Sequence, residues 1–181
     1  AVNAVARREY EITIRELAAH LTDHPGDREG LSRISGLSFQ IPAGNGPPSE
    51  VRHNPDRPFI DDLDSLPWVS PVYKKHLRLT DYFNPNARFP MVTLMTSRGC
   101  PFRCRFCVYP QTLTGRRFRF RSVENVIREL RYIQENLPIV RAVFFEDDTL
   151  SANKKRCTAL CQAMIRAGIR IPWTTNSRID P

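Results

Sequence analysis

The sequence has no apolar run approaching the roughly 18 residues that a membrane span requires, so no transmembrane helix is expected. Near its start, AVNAVARREYEITIRELAAH, no charged segment leads into an apolar stretch and a cleavage site, so no secretory signal is visible. No initiator Met opens the chain, and Asp180 and Pro181 follow directly on a strand pattern, so both ends read as cuts in a longer protein. Internal repeats and low-complexity tracts are also missing, which leaves no repeat architecture to consider. Disulfide pairing is poorly served too. The five cysteines are an odd number and three of them fall between positions 100 and 107, too close for a small secreted scaffold in a chain of 181 residues. A reducing compartment, the cytoplasm, is the expectation.

What is present is the composition of a globular protein, with 41% hydrophobic and 25% charged residues. Lys and Arg outnumber Asp and Glu by 27 to 19, a balance of +8 that favours anionic partners such as nucleic acid, phosphorylated cofactors or acidic lipid headgroups. Ile12, Ile14, Leu17, Ala18 and Leu21 recur at helical spacing before the breaker run His24-Pro25-Gly26-Asp27. Short apolar groups around Ile34, Leu37, Phe39 and Ile41 predict a small strand or hairpin ended by Pro42, Gly44 and Gly46. Nine prolines stand between Pro42 and Pro90, too dense for helices, in a stretch too apolar for simple disorder. An ordered connector over residues 41–90, lying against another surface, is expected.

After Pro90 the pattern alternates between strands and helices: MVTLMTS (91–97), a helix from Ser122, AVFF (142–145), a helix from about Asn153 and IRIPWTTN (169–176). Such alternation predicts an α/β fold with a parallel sheet, the first three βα units of a barrel whose full form takes about 250 residues. Ser122 is placed to cap the first helix, whose apolar face is Val123, Val126, Ile127, Leu130 and Ile133. In the second helix Cys157, Leu160, Cys161, Met164 and Ile165 share a face and Gly168 supplies the stop. With only three strands present, the last is expected to be an exposed edge that favours oligomerisation.

The strongest signal is SRGCPFRCRFCVYP, where Cys100, Cys104 and Cys107 stand at CxxxCxxC just after the first apolar strand. Three thiolates can hold three irons of a 4Fe-4S cluster and leave the fourth open for substrate. Gly99 and Pro101 let the chain turn sharply around the first ligand. The alternative is a structural zinc site within a binding module, which needs a fourth Cys or His. His76 lies upstream in the connector, and Cys157 and Cys161 fall on the helix stripe.

The segment Gly99 to Cys107, with Phe106 before the third Cys, resembles the CxxxCxΦC motif of the radical S-adenosylmethionine (SAM) superfamily. The resemblance runs on through DRPFIDDLDSLPW, DYFNP, YPQTLTGRRFRFRSVENVIRELRYI and FFEDDTL, over about residues 55–181. It is similar to the subgroup that carries an upstream cobalamin-binding domain, of the hopanoid-biosynthesis kind. The resemblance implies that residues 91–181 are the first part of a TIM-like radical SAM core and residues 1–40 the end of a doubly wound cobalamin-binding domain. It also implies reductive cleavage of SAM to a 5′-deoxyadenosyl radical, serving methyl transfer or the remodelling of a ring or lipid. The DxHxxG cobalamin motif is not matched by Asp23-His24-Pro25-Gly26, so cobalamin is expected only in a full-length parent.

By the same resemblance Phe106 lies near the adenine, the alternative being a plain core aromatic. Glu146, Asp147 and Asp148 fall where an acidic position meets the ammonium group of SAM, the alternative being a helix cap from Asp148 or Ser151. Asn176 and Arg178 come to the same rim, where Arg178 could pair with the cofactor carboxylate and Asn176 with a hydroxyl or ribose. No residue is singled out as catalytic. The run RRFRFR (116–121) alternates Arg with Phe118 and Phe120, either as a nucleic-acid platform or as an extended segment burying the phenylalanines, and the second is preferred. The expected partners are therefore a small-molecule or lipid-like substrate and an external electron donor such as flavodoxin or ferredoxin. An RNA-modifying radical enzyme is the other enzymatic reading.

Overall fold

The computed structural model describes residues 3–41 and 50–179, and the fold within them is α/β. The chain divides into two compact units, one of residues 1–60 with 108–115 and the other of residues 61–107 with 116–181.

In the first unit, β1 (Ala4–Ala6) pairs antiparallel with β2 (Leu37–Ile41), and β2 pairs antiparallel with β3 (Glu50–His53). The expected strand is β2, paired with β3, while Pro42, Gly44 and Gly46, expected to end it, lie outside the described residues, as do Pro47 and Pro48. Helix α1 (Glu11–Asp23) follows β1, the short α3 (Tyr109–Thr112) belongs to the same unit, and Leu17 packs with Ala4 and Leu31 on a small core of Ile34, Leu37 and Phe39. Only Thr13 of this helix is buried, and Ile14 and Leu21, expected on its apolar face, are exposed. Its buried contact is polar: Thr13 Oγ1 donates to the Ser35 carbonyl at 2.9 Å and accepts from Arg57 Nε at 3.0 Å, while Arg57 also pairs with Glu16. His24 caps the end of α1 and leads into a turn. Residues 1–40, read above as the end of a doubly wound domain, contribute α1 and two strands of this antiparallel sheet, whose third strand comes from residues assigned to the connector.

In the second unit, β4 (Met91–Leu94), β7 (Ala142–Phe145) and β8 (Trp173–Thr175) form a parallel sheet in the order β4-β7-β8. Parallel neighbours need a crossover, and α4 (Val123–Asn136) and α5 (Lys154–Arg166) supply it. Alternate strand residues Val92, Leu94, Val143 and Phe145 meet Val126, Leu130, Ile133, Leu160 and Met164 in one core. Met91, Ala142 and Phe144 face the other side. The Ser122 hydroxyl caps α4 by accepting from the Asn125 amide at 3.1 Å, as expected. Asn153, rather than Asp148 or Ser151, caps α5, accepting from the Arg156 amide at 3.1 Å. Ile165, placed above on the buried face of α5, is 79% exposed, because that face is centred on Arg156, Leu160 and Met164. Gly168 ends the helix at φ +66°, in the left-handed region.

Residues 64–70 of the proline-rich segment lie against α4. Trp68 Nε1 donates to Asn125 Oδ1 at 3.0 Å, and Ser70 donates to Glu129 Oε1 from its amide at 3.2 Å and its hydroxyl at 2.7 Å. The Asp64 carboxylate accepts from the Ser122 amide at 2.9 Å. Helices are not excluded here, because Pro71 sits in the first turn of α2 (Ser70–His76), where its missing N–H has no intrahelical partner to lose. Among the described residues, no helix is long and apolar enough to cross a membrane.

Candidate functional site: the cysteine loop

The chain leaves β4 at Leu94 and at once meets the residues that follow β7. The Glu146 amide donates to the Leu94 carbonyl at 2.8 Å, extending the ladder by one bond. Next, Asp147 turns inward: Oδ1 accepts from the Thr96 amide at 2.6 Å, and Oδ2 accepts from the Thr96 hydroxyl at 2.6 Å and the Ser97 hydroxyl at 2.5 Å. The Gly99 amide donates to Asp148 Oδ2 at 2.8 Å, and Cys100 Sγ lies 3.5 Å from Thr149 Oγ1. Thr96, Ser97, Gly99 and Cys100 are thus each met by a residue of the stretch 147–149.

The other side of Thr96 is held equally firmly. Its carbonyl accepts from the Arg121 amide at 2.9 Å and from Arg156 Nη2 at 2.9 Å. The two-residue strands β5 (Ser97–Arg98) and β6 (Arg119–Phe120) pair antiparallel, so the cysteine loop is closed at its base. Burial pushes the Asp147 carboxyl above its ordinary range, against the opposing hydrogen bonds of Ser97 and Thr96 and the charge of Arg156. Burial also lowers Arg156 from its usual range. The pair therefore braces the root of the loop from inside the fold.

Beyond that root the chain becomes accessible. Gly99 has φ +88°, a backbone that favours glycine, and it turns the strand into the loop. Cys100, Cys104 and Cys107 are all half-buried, and the Cys107 amide donates to the Cys104 carbonyl at 3.2 Å. Arg178, just past β8, donates from Nη1 to Cys104 Sγ at 3.0 Å, with its guanidinium 4.3 Å from the centre of the Phe102 ring. Residues following all three parallel strands therefore meet at the cysteine loop, which is where a parallel sheet gathers its chemistry.

The three thiols suit a cluster by chemistry, number and access, since each thiolate of a cubane binds a different iron. A mononuclear zinc asks for something else, four ligands converging on one point. Among the described residues, no three His, Cys, Asp or Glu side chains, the three cysteines included, come together to hold a metal ion. Residues 94–181 match the Radical SAM superfamily.

The similarity extends past the matched segment. An uncharacterized methyltransferase of Pyrococcus horikoshii is 37% identical over 179 residues, covering 99% of this chain and 35% of that protein. The bacteriochlorophyllide d C-12(1)-methyltransferase of Chlorobaculum tepidum is 34% identical over 87 residues, 48% of this chain and 18% of that protein. The hopanoid C-3 methylase of Methylococcus capsulatus is 28% identical over 143 residues, 76% of this chain and 23% of that protein. The chain thus spans about a third or less of the length of these relatives. Among solved structures, the radical SAM methyltransferase TsrM from Kitasatospora setae, with tryptophan substrate and a SAM analogue bound, superposes with a TM-score of 0.58 at 16% identity. That match covers 91% of this chain and 29% of that one, and it concerns the fold alone.

Of the residues expected in the radical SAM site, Phe106 is 91% exposed on the loop and is no core aromatic. Glu146 is exposed and Asp148 half-buried at the loop's edge, whereas Asp147 has both carboxylate oxygens engaged by Thr96 and Ser97. Asn176 is exposed at the end of β8. Arg178 has a cysteine sulfur as partner rather than a free rim position.

Of the RRFRFR run only Arg119–Phe120 is strand, Arg116 and Arg117 lying in a bend, and the expected faces are reversed there: Arg119 and Arg121 are buried and Phe120 is 45% exposed. Arg121 is drawn in by Asn125 Oδ1 at 2.5 Å and by Glu129, itself fully buried, at 2.6 Å. Arg119 and Arg121, being buried, cannot grip a phosphate backbone, while Arg116 and Arg117 are exposed. Sequence reasoning did not find Thr96, Ser97, Thr149 or Arg156. Arg156 left a signal, being four residues before Leu160 and eight before Met164 on the stripe that α5 buries.

Proposed function

We propose that this chain is part of a radical SAM methyltransferase in which Cys100, Cys104 and Cys107 hold three irons of a 4Fe-4S cluster. The observation that carries the reading is the meeting of Cys100 with Thr149 and of Cys104 with Arg178, which sets the thiols at the ends of three successive parallel strands. When bound, the cluster supplies the electron that cleaves SAM. The protein's own residues have simpler tasks. Asp147 and Arg156 fix the loop root, Gly99 turns the first cysteine outward, and Asp148 and Glu146 present negative charge for the ammonium group of SAM. Phe106, on the face of the loop, offers a ring for the adenine, and Asn176 offers an amide for a hydroxyl or ribose.

The strand order β4-β7-β8, each new strand added on the same side, supports growth into a TIM-like barrel whose lumen shields the chemistry from water. The substrate class is a small molecule or a lipid-like ring compound, in keeping with the names of the relatives. A second solved structure of TsrM holds cobalamin together with a [4Fe-4S] cluster, at a TM-score of 0.54 and 17% identity, which supports a cobalamin-linked reaction in the full-length protein. The odd number and close spacing of the cysteines accord with a reducing compartment such as the cytoplasm, and a flavodoxin or ferredoxin is the fitting electron donor.

Anaerobic reconstitution with iron and sulfide tests the reading. The expected product is a brown protein with about four irons per chain, and alanine at Cys100, Cys104 or Cys107 removes the cluster while alanine at Cys157 or Cys161 does not. A colourless protein, or a cluster indifferent to the triad, would overturn it.

A further inference from the structure

We propose that Arg178 is a positioning residue for the iron-sulfur cluster, and that by donating to the Cys104 sulfur while stacked on Phe102 it makes the cluster easier to reduce. The inference rests on the cluster reading above and deepens it. Nη1 of Arg178 is 3.0 Å from Cys104 Sγ, and the guanidinium carbon is 4.3 Å from the centre of the Phe102 ring. Phe102 and Cys104 belong to one loop, two positions apart, so the ring and the sulfur are presented together and a single planar cation answers both.

A guanidinium stays protonated at any working pH, so the contact places a full positive charge and an N–H donor beside one ligand sulfur. Reduction adds one electron to the cluster and makes it more negative, with no protein bond broken. The Coulomb attraction to a fixed cation grows with that charge, and hydrogen bonds to cluster sulfurs are among the features that set its reduction potential. Lysine lacks the planar stacking face, so the charge alone would be held less firmly.

The test is an EPR-monitored redox titration of the anaerobically reconstituted protein, with dithionite as the one-electron reductant. In R178A the reduced-to-oxidised ratio at a fixed potential is expected to fall about tenfold, equivalent to roughly 59 mV for a one-electron couple. R178K and F102L should fall between R178A and the wild type. A purely packing role for Arg178 would not move the midpoint. Equal midpoints in R178A and the wild type, at equal iron content, would sink the proposal. If R178A alone fails to hold a cluster, R178K and F102L decide, and unchanged midpoints in both count against it. A wild-type protein that assembles no cluster refutes the cluster reading itself and this inference with it.

Discussion

Asp147 holds Thr96 through both of its carboxylate oxygens, one on the amide and one on the hydroxyl, each at 2.6 Å. The two residues end neighbouring parallel strands, so this contact decides where the cysteine loop starts. D147A leaves the buried Thr96 amide without an acceptor and should cost about 2–3 kcal/mol of stability. Asparagine keeps one acceptor oxygen and should cost less than half as much. Urea unfolding would check both, through a shift of midpoint without a change of slope.

Asp147 also gives the protein a pH dependence with a definite sign. Its folded-state pKa lies above the ordinary 3.8, chiefly through burial, so the folded protein holds that proton more tightly than the unfolded chain. The contribution of such a group to stability is greatest below the unfolded value and declines as pH rises through it towards the folded one. The stability of the wild type relative to D147N should therefore fall as pH is raised from below the carboxylate range. Urea midpoints of the two proteins across that range would measure it, and a wild-type advantage that grew with pH would contradict it.

The buried pair of Arg121 and Glu129 predicts a larger loss. Glu129 is fully buried, and E129A would strand the Arg121 guanidinium while removing the acceptor of Ser70. The expected cost is about 3–5 kcal/mol, in the range for breaking one side of a buried ion pair. Glutamine preserves the Ser70 bonds and should recover part of it, which the same unfolding experiment would reveal.

Thiol chemistry separates structural from loop cysteines. Burial, together with neighbouring Cys161, pushes the Cys157 thiol above its ordinary range. Because the thiolate is the nucleophile, Cys157 should react with iodoacetamide several-fold more slowly in the native apoprotein than in urea at pH 8. Peptide mass mapping over time would follow it, and equal rates in the two conditions would show the thiol to be unprotected.

Much of this was legible in the residues themselves. The parallel strands and both crossover helices follow from runs such as AVFF and the Val126, Leu130, Ile133 stripe, because burial of apolar side chains repeats with the period of each element. The triad was equally plain. What could not be read was inward-facing charge. Periodicity assigns Arg119 and Arg121 to water and Phe120 to the core, but the carboxylate of Glu129 and the carbonyl of Thr96 lie inside, so the register settled the other way. The same blindness hid Arg156, and it treated Asp147 as one of three equivalent carboxylates when its neighbours are alcohols rather than solvent. Proline density misled at the first turn of α2, where the ring is tolerated.

Gly99 carries a consequence for how the first cysteine is aimed. Its backbone, at φ +88°, lies in territory where an L-residue is strained by about 1–2 kcal/mol and its mirror image is at ease. The direction in which Cys100 leaves the strand is therefore set by chirality at a single α-carbon. D-alanine introduced there by semisynthesis would preserve the exit that L-alanine opposes, a stereochemical signature that no change of side-chain size could imitate.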